Sequence, residues 1–188
     1  MQYRTILHQI LHLYDTSTRT ARVVFKYTDQ NLGCTGAQMQ WSVKQTLRRS
    51  DLSNLETAKA FFDACETGKG WTECAQYRAA DASFSCQSVA LADTHSLEAY
   101  TEWMKGLLVP LPDGHYEMKG FAEDGDRDVV LAMAIFKGTH TADGGPIAPT
   151  GNSVAADYVY AMEFAGGKIT HMTKIWNDTE SLKALGWA

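Results

Sequence analysis

The hydrophobic positions of this 188-residue chain change period once along its well-patterned part. Between Ser53 and Leu108 apolar residues recur every three or four positions, and beyond His115 they alternate or run together. The first spacing belongs to helices and the second to strands. In SNLETAKAFFDACETG, residues 53–68, the residues Leu55, Ala58, Phe61, Phe62 and Cys65 form one apolar stripe. Ser53 and Glu56 make a capping box at its start and Gly68 ends it. WTECAQY adds a helical turn or two, and ASFSCQSVA, residues 82–90, reads as a strand. Asp93 or Thr94 then caps HSLEAYTEWMKGLL, where Leu97, Tyr100, Met104 and Leu107 share a face with Trp103 beside it. VPLPDG is a turn cluster.

The remainder predicts strands. HYEMKGFAE leads through a DGD turn into DVVLAMAIFKGTH, and SVAADYVYAMEF leads through AGG into KITHMTKIWN. DTESLKALGW closes the chain as a short helix. Strands grouped after helices imply an α+β fold rather than alternating α/β, with the helices burying their stripes on one face of a curved antiparallel sheet. The connection GTHTADGGPIAPTGN, residues 138–152, is longer than paired strands require. Gly144, Gly145 and Gly151 allow tight turns in it, and Pro146 and Pro149 stiffen it. It reads either as a rim that borders a pocket or braces a second subunit, or as a plain connection.

The first fifty residues follow no such plan. Ile6, Leu7, Ile10, Leu11 and Tyr14 have helical spacing, RVVFKY is strand-like and TDQNLGCTG is loop-like. Met39 stands shortly before the patterned region. Residues 1–52 are therefore expected to be an N-terminal extension of uncertain structure, and residues 53–188 the folded domain.

Composition narrows the function. Hydrophobic residues are 45% and charged residues 21%, as in ordinary globular proteins. The net charge of -5, with only the small basic cluster Lys44–Arg49, argues against nucleic-acid or anionic-membrane partners. Cys34, Cys65, Cys74 and Cys86 form no CxxC pair, so reduced thiols and a cytoplasmic location are expected. No apolar run approaches the roughly 20 residues of a membrane span, and the N-terminus makes a poor signal peptide. The histidines are scattered, with no HExxH, no phosphate-binding glycine loop and no GxSxG. That leaves cofactor-free, metal-free acid/base chemistry or plain binding.

Four stretches in order, SNLETAKAFFDACETGKGW, THTADGGPIAPTGN, EFAGGKITHMTKIWND and LKALGW, resemble the SnoaL-like polyketide cyclases of the nuclear transport factor 2-like superfamily. The resemblance covers about residues 53–188. It implies a cone-shaped barrel, a strongly bent antiparallel sheet wrapped around N-terminal helices, with a pocket between them. It also implies a homodimer and a small hydrophobic carbonyl ligand. It places the general acid/base at Asp178 of IWND, although Asp178 and Asn177 also stand where the last helix needs a cap. A carboxylate in an apolar hollow has the raised proton affinity such a role demands.

Around Asp178 other candidates gather. His140 ends the strand that carries Ala134 and Phe136, and could donate to an oxyanion or shuttle protons, or bond loop backbone instead. Asp157 on the next strand could orient His140 or act alone, or face solvent or a partner subunit. Alternation puts Thr170, Met172, Lys174, Trp176 and Asp178 on one face of the last strand, with His171 on the other. Lys174 is out of place there and needs a carboxylate partner, or a bulge that re-aims it. Phe62, Trp103, Phe136, Met172 and Trp176 are the expected cavity wall, and the other aromatics, Tyr158 and Tyr160 among them, read as core. Two functions follow: a cofactor-independent enzyme catalysing aldol cyclisation or isomerisation, or a non-catalytic binding or dimerisation module. Two or more titratable side chains converging inside the cavity favour the enzyme.

Overall fold

The computed structural model describes residues 53–188 and, before them, the strands β1 (Gln9–Asp15), β2 (Thr20–Lys26) and β3 (Val43–Thr46). These three pair antiparallel in the order β1-β2-β3, within a unit Met1–Asp51 separate from Leu52–Ala188. The helix expected over residues 6–14 is thus a strand from Gln9 onward. A short apolar run fits either period. Pairing with β2 supplies hydrogen bonds that so short a helix could not sustain alone. The loop-like TDQNLGCTG with its Cys34, and Met39, lie outside the described residues.

The second unit begins with α1 (Asn54–Glu66), capped by Ser53, whose hydroxyl accepts the Glu56 N–H at 3.2 Å. Its predicted stripe is buried from Ala58 to Cys65 with Leu55 half-buried, and Glu66, one turn beyond Phe62, is buried with it. A short α2 (Gly70–Cys74) and a single 3₁₀ turn (Ala75–Tyr77) lead into β4 (Arg78–Cys86). A second 3₁₀ turn, Val89–Leu91, precedes α3 (Leu97–Leu107). Ser96 caps α3 by accepting the Ala99 N–H, in place of the expected Asp93 or Thr94. Leu97, Tyr100 and Met104 point into the core as their spacing requires.

Four long strands follow: β5 (His115–Asp124), β6 (Val129–Thr139), β7 (Ser153–Ala165) and β8 (Lys168–Trp176). They pair antiparallel, and β4 joins the far edge parallel to β8, giving the order β4-β8-β7-β6-β5. The sheet is curved but open, with β4 and β5 as its edges, so the expected barrel does not close. Register shifts mark each of the pairs β4–β8, β5–β6 and β7–β8. Bulges of this kind increase twist and bend a sheet. Gly166 and Gly167, both at positive φ, make the tight β7–β8 turn.

The inner face of the sheet presents Val130, Ala132 and Ala134 from β6 and Tyr158, Tyr160 and Met162 from β7. These pack on the stripes of α1 and α3. α4 (Asp178–Leu185) begins at Asn177, whose side chain accepts the Glu180 N–H, and ends at Gly186 in the left-handed conformation. Ser181, Leu182 and Leu185 of α4 line a small hollow between the sheet and α3.

Candidate active site

Sequence period alone places the key groups. Glu66 lies on the buried stripe of α1, Tyr100 on that of α3, Tyr158 and Tyr160 two residues apart on β7, and Lys174 on β8. All five side chains are buried, Glu66 at 1% exposure and Lys174 at 6%. Tyr158 donates to Glu66 Oε2 at 2.6 Å, and Tyr160 donates to Oε1. The Tyr160 and Tyr100 hydroxyls are hydrogen-bonded to each other, and Lys174 Nζ donates to the Tyr100 hydroxyl at 2.9 Å. Since Tyr160 gives its proton to Glu66, it accepts from Tyr100, and Tyr100 accepts from Lys174. The chain therefore has one direction, from ammonium through two phenols to carboxylate.

Burial sets the electrostatics. It pushes the Glu66 carboxyl above the usual range, against the opposing pull of Lys174 and the two tyrosine hydrogen bonds. It lowers the affinity of Lys174 for its proton, against the pull of Glu66. The three phenols are raised, first by burial and next by the negative charge of Glu66. Five aromatic rings, those of Tyr100, Trp103, Tyr158, Tyr160 and Trp176, stand with centroids 4.9–5.7 Å from Lys174 Nζ. A hydrogen-bonded path for a proton thus runs between Glu66 and Lys174 through two phenols.

Glu66, Tyr158 and Lys174 open onto a cavity of about 40 Å³. Its other walls are mostly carbon, from Trp103, Leu111, Phe136, Trp176 and the α4 residues, with Trp187 closing one side. Of the expected wall residues, Trp103, Phe136 and Trp176 line this hollow. Phe62 and Met172 do not. Phe62 is core, stacked 6.0 Å from Tyr158, and Met172 is fully buried.

Asp178 is buried, but it lies beyond β8 as the first residue of α4. Its carboxylate accepts the Ala90 N–H at 3.1 Å, tying α4 to the Val89–Leu91 turn. It borders a separate surface groove with Ser85, Cys86 and Gln87, and is not among the residues that line the hollow. Asp178 keeps the burial that alternation from Lys174 and Trp176 gives it, but the strand ends at Trp176 and the carboxylate turns to the Val89–Leu91 turn instead of the hollow. Alternation also slips at the other end of β8, where a bulge at Thr170 leaves Ile169 buried with Met172.

His140 is fully buried at the end of β6. Its Nδ1 accepts the Trp187 indole N–H at 2.9 Å and the Thr150 N–H at 3.3 Å. An indole nitrogen only donates, so the ring proton sits on Nε2, which has no partner among the described residues and lies beneath Gly145. Thr150 also donates to the Leu185 carbonyl at 2.9 Å. The 138–152 loop therefore holds the turn after α4 against the sheet. Asp157 is exposed on the outer face of β7, paired across the strands with Ile135, and makes no contact with His140. His171 faces outward as alternation requires, its ring nitrogens 2.7 Å from Ser83 Oγ and 3.0 Å from Ser85 Oγ.

The structure thus brings together Lys174, Trp103, Phe136 and Trp176, and adds Glu66, Tyr100, Tyr158, Tyr160 and Trp187 to them. Lys174 has the carboxylate partner its position called for, reached through two tyrosines. Glu66 carried a signal: it is the one charged residue four positions after Phe62 on an otherwise apolar stripe.

The profile of the SnoaL-like polyketide cyclase family matches residues 56–185. No curated protein sequence matches the chain. Among solved structures, IdmH from Streptomyces antibioticus is 18% identical, over 72% of this chain and 99% of its own, with a TM-score of 0.59. AclR from Streptomyces galilaeus is 20% identical, over 72% of this chain and 85% of its own, at 0.58. A ketosteroid isomerase-like protein from Catenulispora acidiphila is 18% identical, over 71% and 94%, at 0.52. At such identities these likenesses speak for the fold, an open nuclear transport factor 2-like arrangement of bent sheet and helices. With the profile spanning 130 residues of the bent-sheet unit, the chain belongs to the SnoaL-like polyketide cyclase family.

Proposed function

We propose that the protein is an acid/base enzyme acting on a small hydrophobic carbonyl compound, by proton abstraction next to the carbonyl followed by isomerisation or aldol ring closure. The observation that carries this reading is the hydrogen-bonded run Glu66–Tyr160–Tyr100–Lys174 at the wall of an apolar hollow. Glu66 is the base in its ionised form, and the positive charge carried at the Lys174 nitrogen balances the negative charge that develops on the substrate. Asp178 takes a structural role, as does His140. A proton gained by Glu66 returns through the phenols or to another carbon of the substrate.

A test uses 2-tetralone in D₂O, a flat ketone with an acidic benzylic C–H, followed by proton NMR. The native protein is expected to speed loss of that signal. Glu66→Gln should cut the rate by roughly 10²–10⁴-fold, the range of a positioned base, with ketone binding retained. Asp178→Asn should leave the rate near native. Loss of exchange in Asp178→Asn with retention in Glu66→Gln would return the base to Asp178. Binding with no exchange in the native protein would make it a binding module.

The outer sheet face supports a homodimer. Met133, Val159 and Ile175 form one row across β6, β7 and β8, with Leu131 one row away. Met133 is 45% exposed and Ile175 63%. A contiguous apolar strip of this kind suits a self-complementary contact between two copies.

A further inference from the structure

We infer that Lys174 is a covalent amine nucleophile, which condenses with the carbonyl carbon of the substrate to form a protonated imine. This rests on the carbonyl substrate class proposed above and adds a bond to it. Three observations carry it. Lys174 lines the hollow, so its nitrogen can meet a bound carbonyl. It has no ion pair among the described residues, its one hydrogen bond going to the neutral phenol of Tyr100. A carboxyl group stands two hydroxyls away, connected by the run that can take up the ammonium proton.

An amine attacks only through its lone pair, so the free base is the working form. Burial shifts Lys174 in that direction. Transfer of one proton along Tyr100 and Tyr160 leaves a neutral amine and a protonated Glu66, and both are then ready for the reaction. The Lys174 nitrogen lone pair adds to the carbonyl carbon while the carbonyl π pair moves to oxygen. One nitrogen proton passes to that oxygen, giving a carbinolamine. Glu66 then protonates the hydroxyl, the C–O bond breaks and water leaves. The products are the iminium on Lys174, the Glu66 carboxylate and one water, with charge balanced and no oxidant or reductant required. The iminium draws electrons from the neighbouring C–H bond, and the carboxylate just formed is the base that removes its proton. The five surrounding rings hold the iminium charge as they hold the ammonium.

The test treats the full native chain near pH 7 with 1-phenylbutane-1,3-dione. A free amine converts this diketone into an enaminone with loss of one water and a near-ultraviolet band. The expected result is one equivalent bound, with the mass increment on the peptide containing Lys174. Its rate should exceed that at the exposed Lys59 by about tenfold or more, because the Lys174 nitrogen faces a bound diketone in the hollow and Lys59 meets it only from solution. Lys174→Met should lack the band. Because peptide mapping of the native protein gives the answer alone, poor folding of that variant does not blunt the test. Lys174 unmodified, or modified no faster than Lys59, overturns the inference. Loss of the 2-tetralone exchange alongside labelled Lys174 would sink the Glu66 base and leave the amine standing. Exchange that persists with Lys174 unlabelled would do the reverse.

Discussion

A single buried carboxyl group gives the protein a pH dependence that can be read directly. Folded Glu66 keeps a proton that the unfolded chain releases near its ordinary value of 4.5. Stability linked to it is fully present below that pH and is lost as pH rises through the higher folded value. Glu66→Gln removes the linkage, so its melting temperature relative to the native protein should climb as pH rises from 4.5 into the neutral range. A difference that stays flat over this range would mean that Glu66 is ionised at little cost. Gly145 is sensitive for a steric reason. A Cβ there would sit 2.8 Å from His140 Nε2 and 3.1 Å from Trp187 Cζ2. Gly145→Ala is expected to cost about 1–3 kcal/mol and to loosen Trp187, which its fluorescence quenching by iodide would report. Lys174 was legible in the sequence as a lysine on an apolar face in need of a partner. Glu66 was passed over despite its place on the stripe, because one carboxylate at the end of a capped, amphipathic helix looks like its solvated edge.

At the level of elements, α4 depends on contacts at both ends. Asn177 caps it, Asp178 bonds the Ala90 N–H, and the turn after it is held by Thr150 and His140. Asp178→Ala should lower stability by about 1–2 kcal/mol, or a few degrees in melting temperature at this chain length. Asp178→Asn keeps an acceptor and should cost less, as paired thermal melts would show. If Asp178→Ala proves neutral, the bond to Ala90 is not holding α4. The helices and long strands could be read from the chain because capping residues, glycine turns and hydrophobic period agree there. The strand at Gln9–Asp15 could not, since its partner decides its conformation. The parallel pairing of β4 with β8 was invisible too, because it joins residues nearly ninety positions apart. The cap at the start of the last helix was legible, and Asn177 fills it, but the bond from Asp178 to the Ala90 N–H was not, since it joins residues 88 positions apart.

For the molecule as a whole, the outer sheet face makes association testable. Replacing Met133 and Ile175 together by lysine places like charges against each other in a two-fold contact. A native protein that sediments as a dimer should become monomeric. A native monomer at all concentrations would remove the dimer. Within the bent-sheet unit, the hollow beside Glu66 and Lys174 holds only about 40 Å³, less than one aromatic ring needs, and α4 with Trp187 forms one of its walls. A ligand of the proposed class is therefore expected to enter as that wall swings aside. Stopped-flow rates of ligand capture should level off as ligand concentration rises, and the plateau should equal the rate at which the helix opens. Weakening the Trp187–His140 bond should raise that plateau, so the pace of turnover would be governed by a latch in the wall rather than by the reacting groups.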